Sequence, residues 1–220
     1  MARNSAKSTA GDLKVAPTLF TAPPTANLAA RMAPREFEAF AGQAALVGPG
    51  RLLRRAIEAD RLGSAIFFGP PGCGKTALVR LIAARTSAAV EELNAVTAGV
   101  ADLRRAVEAA AHRLSLNRQK TLLVVDEIHH FNKTQQDALL PDVERGRVTL
   151  IGLTTENPYF YVNAALLSRS QVFEFQTLGE AELRAILERA LTDPDRGFGR
   201  MAVTIDPDAA SHLVSTAAGD

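Results

Sequence analysis

The sequence has 220 residues, which is enough for one domain or for one domain and part of another. Its formal net charge is +1 and charged residues make up 22%, so bulk charge gives no case for a nucleic-acid or membrane surface. Apolar runs fall short of the roughly 20 residues that span a bilayer, and we see no apolar core of a signal peptide at the N-terminus, so we expect no membrane segments. Cys73 is the only cysteine, which excludes an intrachain disulfide, and we expect a cytoplasmic protein.

The predicted elements start after a polar tail. Residues 1–27 are rich in Ala, Ser, Thr and Pro without an apolar period, which predicts disorder. Residues 51–61 are predicted to form an amphipathic helix. Short apolar runs then alternate with helical periods, as is typical of a parallel sheet covered on both faces. The predicted strands are 64–68, 90–93, 121–125, 148–153 and 172–175. The predicted helices are 76–85, 101–114, 134–144, 179–191 and 207–217. Pro141 is expected to kink or break the last turns of helix 134–144.

Residues 69–76 read GPPGCGKT, a complete G-x-x-x-x-G-K-[ST] phosphate loop between a predicted strand and a predicted helix. The glycines let backbone N–H groups turn toward the β- and γ-phosphates of a nucleotide. Lys75 sets a positive charge against the same phosphates, and the Thr76 hydroxyl can hold Mg²⁺. The following helix presents its N-terminal dipole to the anion. We therefore predict a nucleoside triphosphate site with Mg²⁺ formed by Gly69, Pro70, Pro71, Gly72, Cys73, Gly74, Lys75, Thr76 and Ala77.

Asp126 and Glu127 follow the apolar run 121–125, which is expected to be a central strand. A carboxylate at the carboxyl end of a parallel strand meets the phosphate crevice. We predict that Asp126 holds Mg²⁺ through water and that Glu127 orients and deprotonates the attacking water. The alternative is an acidic strand end in solvent.

Cysteine and histidine near these motifs have less specific interpretations. Cys73 is either a small loop residue whose backbone N–H matters or a redox-sensitive thiol at a helix N-terminus. His129 and His130 are expected to point in different directions and lack partners at metal-ligand spacing, so no metal site is predicted there. One of the two is expected to pack or hydrogen-bond after the strand that ends at Asp126.

The chain resembles the AAA+ ATPases, and within them the replication-associated recombination protein A group (RarA/MgsA), which is similar to the Werner-helicase-interacting ATPases. The resemblance runs from about Leu28 to the C-terminus and rests on GPPGCGKT, DEIHHFNKTQQDALLPDVERG (126–146), IGLTTENP (151–158) and ALLSRSQVFEF (165–175). The DEIHxFNKxQQDALLP pattern distinguishes this group from clamp-loader subunits and branch-migration motors. The resemblance implies an α/β AAA+ P-loop NTPase with a five-stranded parallel sheet, divided into a tail (1–27), a nucleotide-binding core (28–178) and a partial helical lid (179–220).

The resemblance also implies roles for polar residues at the ends of later elements. IGLTTENP corresponds to a sensor-1 segment, in which Thr155 is the first choice to position the lytic water, ahead of Thr154 and Asn157. Strand-end capping is the alternative role for these three. LLSRSQ resembles the Ser-Arg-Cys motif whose arginine reaches the γ-phosphate of a neighbouring subunit, so Arg169 is the expected finger, with Ser170 in place of the cysteine. A solvent-facing arginine is the alternative.

Four further residues are weaker candidates. Asn94 resembles an amide that holds the catalytic glutamate inactive until DNA binds, although a strand-end amide is an equal alternative. Arg104, Arg105 and Lys133 are candidates for DNA phosphate contacts without base specificity. Ordinary solvated helix faces are the alternative for those three.

The group membership implies a DNA-dependent ATPase, with ATP and Mg²⁺ as cofactors, that acts at stalled replication forks in recombination and repair. Its expected partners are DNA junctions or ends, a single-stranded-DNA-binding protein and further copies of itself in a tetramer, at the nucleoid. The sensor-2 arginine and the tetramer-forming domain of the group are expected beyond Asp220, so the 220-residue chain is expected to hydrolyse ATP poorly. Two other functions stay open: a clamp-loader or branch-migration subunit, and a nucleotide-regulated scaffold.

Overall fold

A computed structural model describes residues 27–201 and 203–217, so most of the predicted tail, residues 1–26, lies outside the described residues. The strands are β1 Ala65–Phe68, β2 Ala89–Asn94, β3 Thr121–Asp126, β4 Val148–Thr154 and β5 Gln171–Glu174. The α-helices are α1 Leu28–Met32, α2 Ala44–Val47, α3 Leu52–Glu58, α4 Lys75–Arg85, α5 Val100–Asn117, α6 Lys133–Glu144, α7 Pro158–Tyr161, α8 Ala164–Leu167, α9 Glu180–Thr192 and α10 Pro207–Ala217.

The five strands form one sheet in the order β2-β3-β4-β1-β5, and every neighbouring pair is parallel. The predicted five-stranded parallel sheet is therefore confirmed, with strand limits within about two residues of the prediction. Because the strands are parallel, the loops after all five strands meet at one edge, which we call the carboxyl edge. The loops that enter the strands meet at the opposite amino edge.

Helices cover both faces of the sheet and form two apolar cores. On one face, Phe67 and Ile151 pack against residues of α2, α3 and α4 such as Leu53 and Leu78. On the other face, Leu123 and Leu150 pack with residues of α5, α6 and α8, among them Leu103, Leu139 and Leu166. β3 is buried on both faces from Thr121 to Val125, as expected of a central parallel strand. This burial fixes the position of the residues that follow Val125.

Helix α6 corrects the prediction for Pro141. The helix continues through the proline to Glu144 instead of breaking in its last turns. Proline removes only its own N–H donor, and its carbonyl still accepts a hydrogen bond from the Arg145 N–H at 3.2 Å. Leu139 and Val143 on either side of it are buried in the core, and this packing holds the last turn in place.

Helices α9 and α10 occupy the predicted positions after the sheet. They pack against each other, with Ala190, Ala210 and Val214 buried. The Arg184 guanidinium donates to the Ser211 Oγ at 3.2 Å across the pair. The division of the chain into core and lid stays a prediction. Among the described residues, no helix has both the length and the apolar character needed to cross a membrane.

Asp60 joins the end of α3 to the loop between α4 and β2. Its backbone has a left-handed φ of 50°, and its carboxylate accepts hydrogen bonds from the Thr86 hydroxyl (2.7 Å), the Ser87 N–H (3.0 Å) and the Ser87 hydroxyl (2.6 Å). These bonds, led by that of the Ser87 hydroxyl, lower the pKa of Asp60 below its usual 3.8. The carboxylate therefore stabilises the folded state more when it is ionised than when it is protonated.

We predict that Asp60→Asn lowers the free energy of unfolding by about 0.5–1 kcal/mol near pH 7, a value kept small by solvent screening. Asparagine tolerates the left-handed backbone, so the change isolates the charge. A lowered pKa stabilises the fold above pH 3.8, and that contribution is lost as the pH falls through the folded-state pKa. The difference between the two proteins, measured by urea unfolding, should therefore shrink as the pH falls below 3.8.

The control for this prediction is Asp208→Asn, which removes an exposed carboxylate at the start of α10. It should change the free energy of unfolding near pH 7 by less than Asp60→Asn does, because the structure shows no hydrogen bonds from other segments of the described chain to this carboxylate. A difference between wild type and Asp60→Asn that is the same near pH 7 and near pH 3 would contradict the assignment.

Candidate active site

The phosphate loop lies at the carboxyl edge between β1 and α4, as predicted. Gly69, Gly72 and Gly74 have φ values of 150°, 68° and 98°, in the region that favours glycine. A Cβ atom on Gly69 would lie 2.4 Å from the Phe175 carbonyl oxygen, so no other residue fits beside β5. The loop is thus shaped by backbone conformations that depend on its glycines.

Lys75 is the first residue of α4 and is buried. Its Nζ donates hydrogen bonds to the carbonyl oxygens of Gly69 (2.6 Å) and Pro70 (2.7 Å), so the ammonium group lies against the loop. The N–H groups in the first turn of α4 have no partners within the helix, which is the usual basis of phosphate binding at a helix N-terminus. Lys75 and α4 together give the loop a positive potential.

Cys73 is buried within the loop and 1% exposed. Its Sγ lies 3.6 Å from the Lys75 Nζ. Oxidation of a thiol requires access from solvent, so this burial favours the interpretation that Cys73 serves as a small residue whose backbone matters.

Gln43, for which the sequence suggested no role, ties the loop to the segment before α2. Its Nε2 donates to the carbonyl oxygens of Cys73 (3.1 Å) and Gln176 (2.5 Å), and its Oε1 accepts from the Gln176 N–H (3.1 Å). The side chain is 9% exposed and all three bonds are made to backbone. Gln43 therefore holds together the phosphate loop and the end of β5.

Asp126 ends β3 and Glu127 follows it with a left-handed φ of 50°. Burial, and secondly the charge of Glu127, raise the pKa of Asp126 above its usual 3.8, while the Glu127 N–H and the charge of Lys75 oppose the rise. The Oε2 atom of Glu127 is shut off from solvent and makes no well-aligned hydrogen bond with the described residues. It lies 3.3 Å from the Nδ1 of His129. The two carboxylates are thus close together and short of positive charge.

The residues present fit Mg²⁺. Thr76 and Asp126 offer hard oxygen ligands, and Mg²⁺ typically takes one or two carboxylates together with substrate phosphates. No group of three or more His, Cys, Asp or Glu side chains in the described ranges could enclose a metal alone. A cation here would accordingly be shared with the phosphates of a nucleotide, and its charge would oppose the rise in the pKa of Asp126 that burial and the charge of Glu127 cause.

The sensor-1 candidates lie at the end of β4, beside the strand that carries Asp126. Thr154 is fully buried, and its Oγ1 lies 2.9 Å from the His129 Nδ1. Thr155 is half-buried one residue further, next to the start of the phosphate loop, where the Gly69 N–H donates to the Thr154 carbonyl oxygen at 3.3 Å. Asn157 caps α7 by accepting from the Tyr159 N–H at 3.1 Å. Thr154 is thus the one of the three with a hydrogen bond toward the Glu127 region.

His129 is a second residue near the site to which the sequence assigned no specific role. The prediction that the side chains of His129 and His130 diverge is wrong, because their rings lie 4.2 Å apart at an angle of 37°. The short 3-10 helix Ile128–His130 replaces the extended geometry in which neighbours point to opposite sides. It turns His129 back toward Thr154.

Arg169 lies at the amino edge, far from the loop of its own chain. It precedes β5, whose first N–H, from Gln171, donates to the Ser64 carbonyl oxygen at the start of β1. The phosphate loop follows the other end of β1, about 13 Å away along four strand residues. The Arg169 guanidinium pairs with Glu144 at 2.7 Å and is 41% exposed.

The remaining candidates lie near the carboxyl edge on exposed positions. Asn94 pairs with Asp126 in the register of β2 and β3, but its Oδ1 accepts from the Val96 N–H at 2.9 Å in a local turn. Arg104 and Arg105 are exposed near the start of α5, where Arg105 forms an ion pair with Asp102. Lys133 is exposed at the start of α6. The N-terminal ends of α5 and α6 adjoin, because the Gln135 side chain donates to the Ala98 carbonyl oxygen at 3.1 Å.

Comparisons with known proteins match this geometry. A model of the ATPase family associated with various cellular activities (AAA) matches residues 65–178. The chain is 50% identical over 193 residues to Replication-associated recombination protein A of Coxiella burnetii, over 88% of this chain and 43% of that protein. The protein of the same name from Haemophilus influenzae is 46% identical over the same shares. The chain therefore spans less than half the length of these relatives.

A solved structure with a similar fold is the Thermotoga maritima RuvB Holliday junction branch migration motor. It superposes with a TM-score of 0.61 at 26% identity, covering 84% of this chain and 59% of that chain. The sheet and its flanking helices are thus shared with the fold of that motor.

We predict that Asp126→Asn stabilises the protein in the absence of divalent cations. A raised pKa contributes stability below pH 3.8 that is lost as the pH rises through the folded-state pKa, so ionised Asp126 is unfavourable near pH 7. With chelator present, the free energy of unfolding should rise by about 0.5–1 kcal/mol, a modest gain because the carboxylate is partly screened by solvent. With Mg²⁺ and ATP added, wild type should become the more stable protein, because ligand binding stabilises the folded state.

Asp142→Asn is the control, because that buried carboxylate pairs with Arg147 at 3.0 Å and its loss should destabilise the fold under both conditions. A chelator-treated Asp126→Asn protein that unfolds more easily than wild type would contradict the electrostatic account.

Proposed function

The chain belongs to the ATPase family associated with various cellular activities (AAA), and from that membership we propose that it is a DNA-dependent ATPase of the clamp-loader clade. It couples ATP hydrolysis to remodelling at stalled replication forks, in replication-associated recombination and repair. The fork-related part of the proposal rests on the similarity to Replication-associated recombination protein A. We place this activity in the cytoplasm, at the nucleoid.

The observation that carries the ATPase proposal is the convergence of three groups at the carboxyl edge. Lys75 and the N-terminus of α4 receive the β- and γ-phosphates. Thr76 and Asp126 hold Mg²⁺, and Glu127 is the general base that deprotonates the attacking water. Either Thr154 or Thr155 positions that water from the end of β4. The contact of Thr154 with His129 favours Thr154. The closeness of Thr155 to Gly69 supports Thr155, the residue preferred from the sequence.

Arg169 completes the site of a neighbouring subunit. At the amino edge it cannot reach its own phosphate loop, whereas a head-to-tail neighbour can bring that edge against a carboxyl edge. Its exposed ion pair with Glu144 is of a kind worth no more than about 1 kcal/mol, so the arginine can exchange this partner for a γ-phosphate. The arginine then neutralises charge that develops in the transition state. A tetramer of the full-length protein is the assembly we propose.

DNA is the proposed activator and substrate, at junctions or ends and without sequence specificity, in cooperation with a single-stranded-DNA-binding protein. Arg104, Arg105 and Lys133 are the proposed phosphate contacts, supported by their exposure near the adjoining ends of α5 and α6. Asn94 is the proposed regulatory residue, supported by its position opposite Asp126 in the sheet. A branch-migration motor is the second candidate, favoured by the fold similarity to RuvB.

We predict that the full-length protein hydrolyses ATP faster when single-stranded, duplex-end or gapped DNA is added. Lys75→Ala should abolish ATP binding because it removes the positive charge that faces the phosphates. Glu127→Gln should bind ATP without turnover because it removes the general base. Steady-state ATPase assays and fluorescent-nucleotide titration measure the two effects. Turnover by Glu127→Gln at the wild-type rate would remove Glu127 from its role.

The same assay tests the DNA contacts and the second candidate function. Arg104→Ala combined with Lys133→Ala should raise the DNA concentration that gives half-maximal stimulation, while Lys120→Ala at the amino edge is the control. Stimulation by four-way junctions alone, together with movement of the junction, would favour the branch-migration motor.

We also predict that two inactive variants complement each other. Lys75→Ala supplies an intact arginine and Arg169→Ala an intact phosphate loop, so a random equimolar assembly should regain about a quarter of the wild-type ATPase sites. Arg145→Ala, an exposed arginine near Glu144, should keep full activity. A mixed assembly that stays inactive, or an Arg169→Ala defect of equal size in a monomer, would contradict the shared site.

A further inference from the structure

One atom of His129 contacts both Glu127, the proposed general base, and Thr154 at the end of β4. Its Nδ1 lies 3.3 Å from the Glu127 Oε2 and 2.9 Å from the Thr154 Oγ1. The His129 side chain is 13% exposed, Thr154 is fully buried, and the Glu127 oxygen is closed to solvent. Solvent therefore does not reach the Thr154 hydroxyl or the Glu127 Oε2, and these two oxygens depend on protein neighbours for hydrogen bonds.

The hydrogen bonds of Thr154 decide which proton His129 carries. The Thr154 Oγ1 accepts from the Glu156 N–H at 3.0 Å and lies 3.2 Å from the Glu156 carbonyl oxygen. If the single hydroxyl proton goes to that carbonyl, the Oγ1 has one lone pair left, and it can accept an Nδ1–H from His129. The Nδ1–H then donates to the Thr154 Oγ1 and lies near the Glu127 Oε2, which is 3.3 Å from the Nδ1.

The opposite arrangement leaves a buried acceptor unsatisfied. If the Thr154 hydroxyl donated to His129, the Nδ1 would carry a lone pair and would face the Glu127 carboxylate as a second acceptor at 3.3 Å. Two lone pairs would then face each other at a place closed to solvent, whereas an Nδ1–H presents its positive end to the Oε2, which has no other donor among the described residues. The arrangement with Nδ1–H is therefore the stable one.

We propose that His129 is a positioning residue for hydrolysis, whose Nδ1–H donates to Thr154 and attracts the Glu127 Oε2 from 3.3 Å. This inference rests on the proposed ATPase function. The attraction holds the Oε2 of Glu127 against the end of β4, which directs the other carboxylate oxygen toward the attacking water. The imidazole transfers no proton; it fixes the direction of the base.

The surroundings of His129 and Glu127 favour a fixed arrangement. Glu127 has a left-handed backbone, which is unfavourable for a non-glycine residue and persists only where neighbours hold it. The Tyr161 ring meets the His129 ring edge-on at 6.0 Å, and the Tyr161 carbonyl oxygen accepts from the buried Gln136 side chain at 2.8 Å. His129 is thus packed between the catalytic strand and α7.

A matched pair of amides separates the two nitrogens of the ring. In His129→Asn the amide N–H can take the place of Nδ1–H, whereas His129→Gln carries its amide out to the position of Nε2. We expect kcat for ATP in the full-length protein to stay within about 3-fold of wild type for the asparagine variant. We expect it to fall about 10- to 100-fold for His129→Gln and His129→Ala, because a misdirected base costs of that order.

The affinity for ATP should stay nearly unchanged in the variants that lose turnover. The Kd for ATP should change less than about 2-fold in all three variants, since His129 does not contact the phosphate loop. His130→Gln, which changes the exposed neighbour, is the control and should keep full turnover. Equal kcat values for the asparagine, glutamine and alanine variants, each folded by thermal melting, would overturn the proposal.

A second measurement does not depend on activity. Nitrogen-15 chemical shifts of the His129 ring should report a protonated Nδ1, and Glu127→Gln should shift that resonance. An unprotonated Nδ1 would overturn the proposal even if the protein is an active ATPase. A wild-type protein that turns over ATP no faster than Glu127→Gln would instead contradict the proposed function, and the ring shifts would still decide whether the His129 Nδ1 carries the proton.

Discussion

The site depends on the negative charge that β3 carries at its end. Burial of β3 on both faces fixes Asp126 and Glu127 in a place where their charges are only partly compensated, and the pKa of Asp126 rises as a result. Lys75 opposes the rise but already bonds to the loop carbonyls. In the proposed function, a divalent cation would compensate the two carboxylates, and the triphosphate bound with it would compensate the positive loop. Nucleotide binding would therefore relieve both charge imbalances together.

The order of the strands decides which parts of the proposed reaction one chain can provide. β3, β4 and β1 are neighbours, so the acidic pair, the threonines and the phosphate loop converge at the carboxyl edge. Arg169 precedes β5 and so must lie at the amino edge, although β5 is hydrogen-bonded to β1. No side-chain movement spans that separation of about four strand residues. If Arg169 acts on a γ-phosphate as proposed, the requirement for a second subunit follows from topology, without any special feature of the arginine.

The sequence predicted the features that depend on neighbours along the chain. GPPGCGKT and the run 121–127 carry their conformation in local residue types, so the loop, the strand and the parallel sheet were foreseen. Gln43 and His129 act on partners that are distant in sequence, such as Gln176 and Thr154, and residue type gives no sign of such contacts. Pro141 failed as a helix breaker because core packing outweighed a local preference.

Gly152 in β4 allows the end of that strand to approach the turn that follows Asp126 and Glu127. A Cβ on Gly152 would lie 2.7 Å from the Ile66 Cδ1 and 3.0 Å from the Ile128 Cδ1, so a larger residue would push β4 and the Ile128 side chain apart. Ile128 is fully buried and anchors the turn between Glu127 and His129. Close packing at Gly152 thus brings Thr154, two residues later on the same face of β4, within reach of His129. The strained conformation of Glu127 is held by this packing beneath it, and the apolar core on that face of the sheet is in this sense part of the catalytic apparatus we propose.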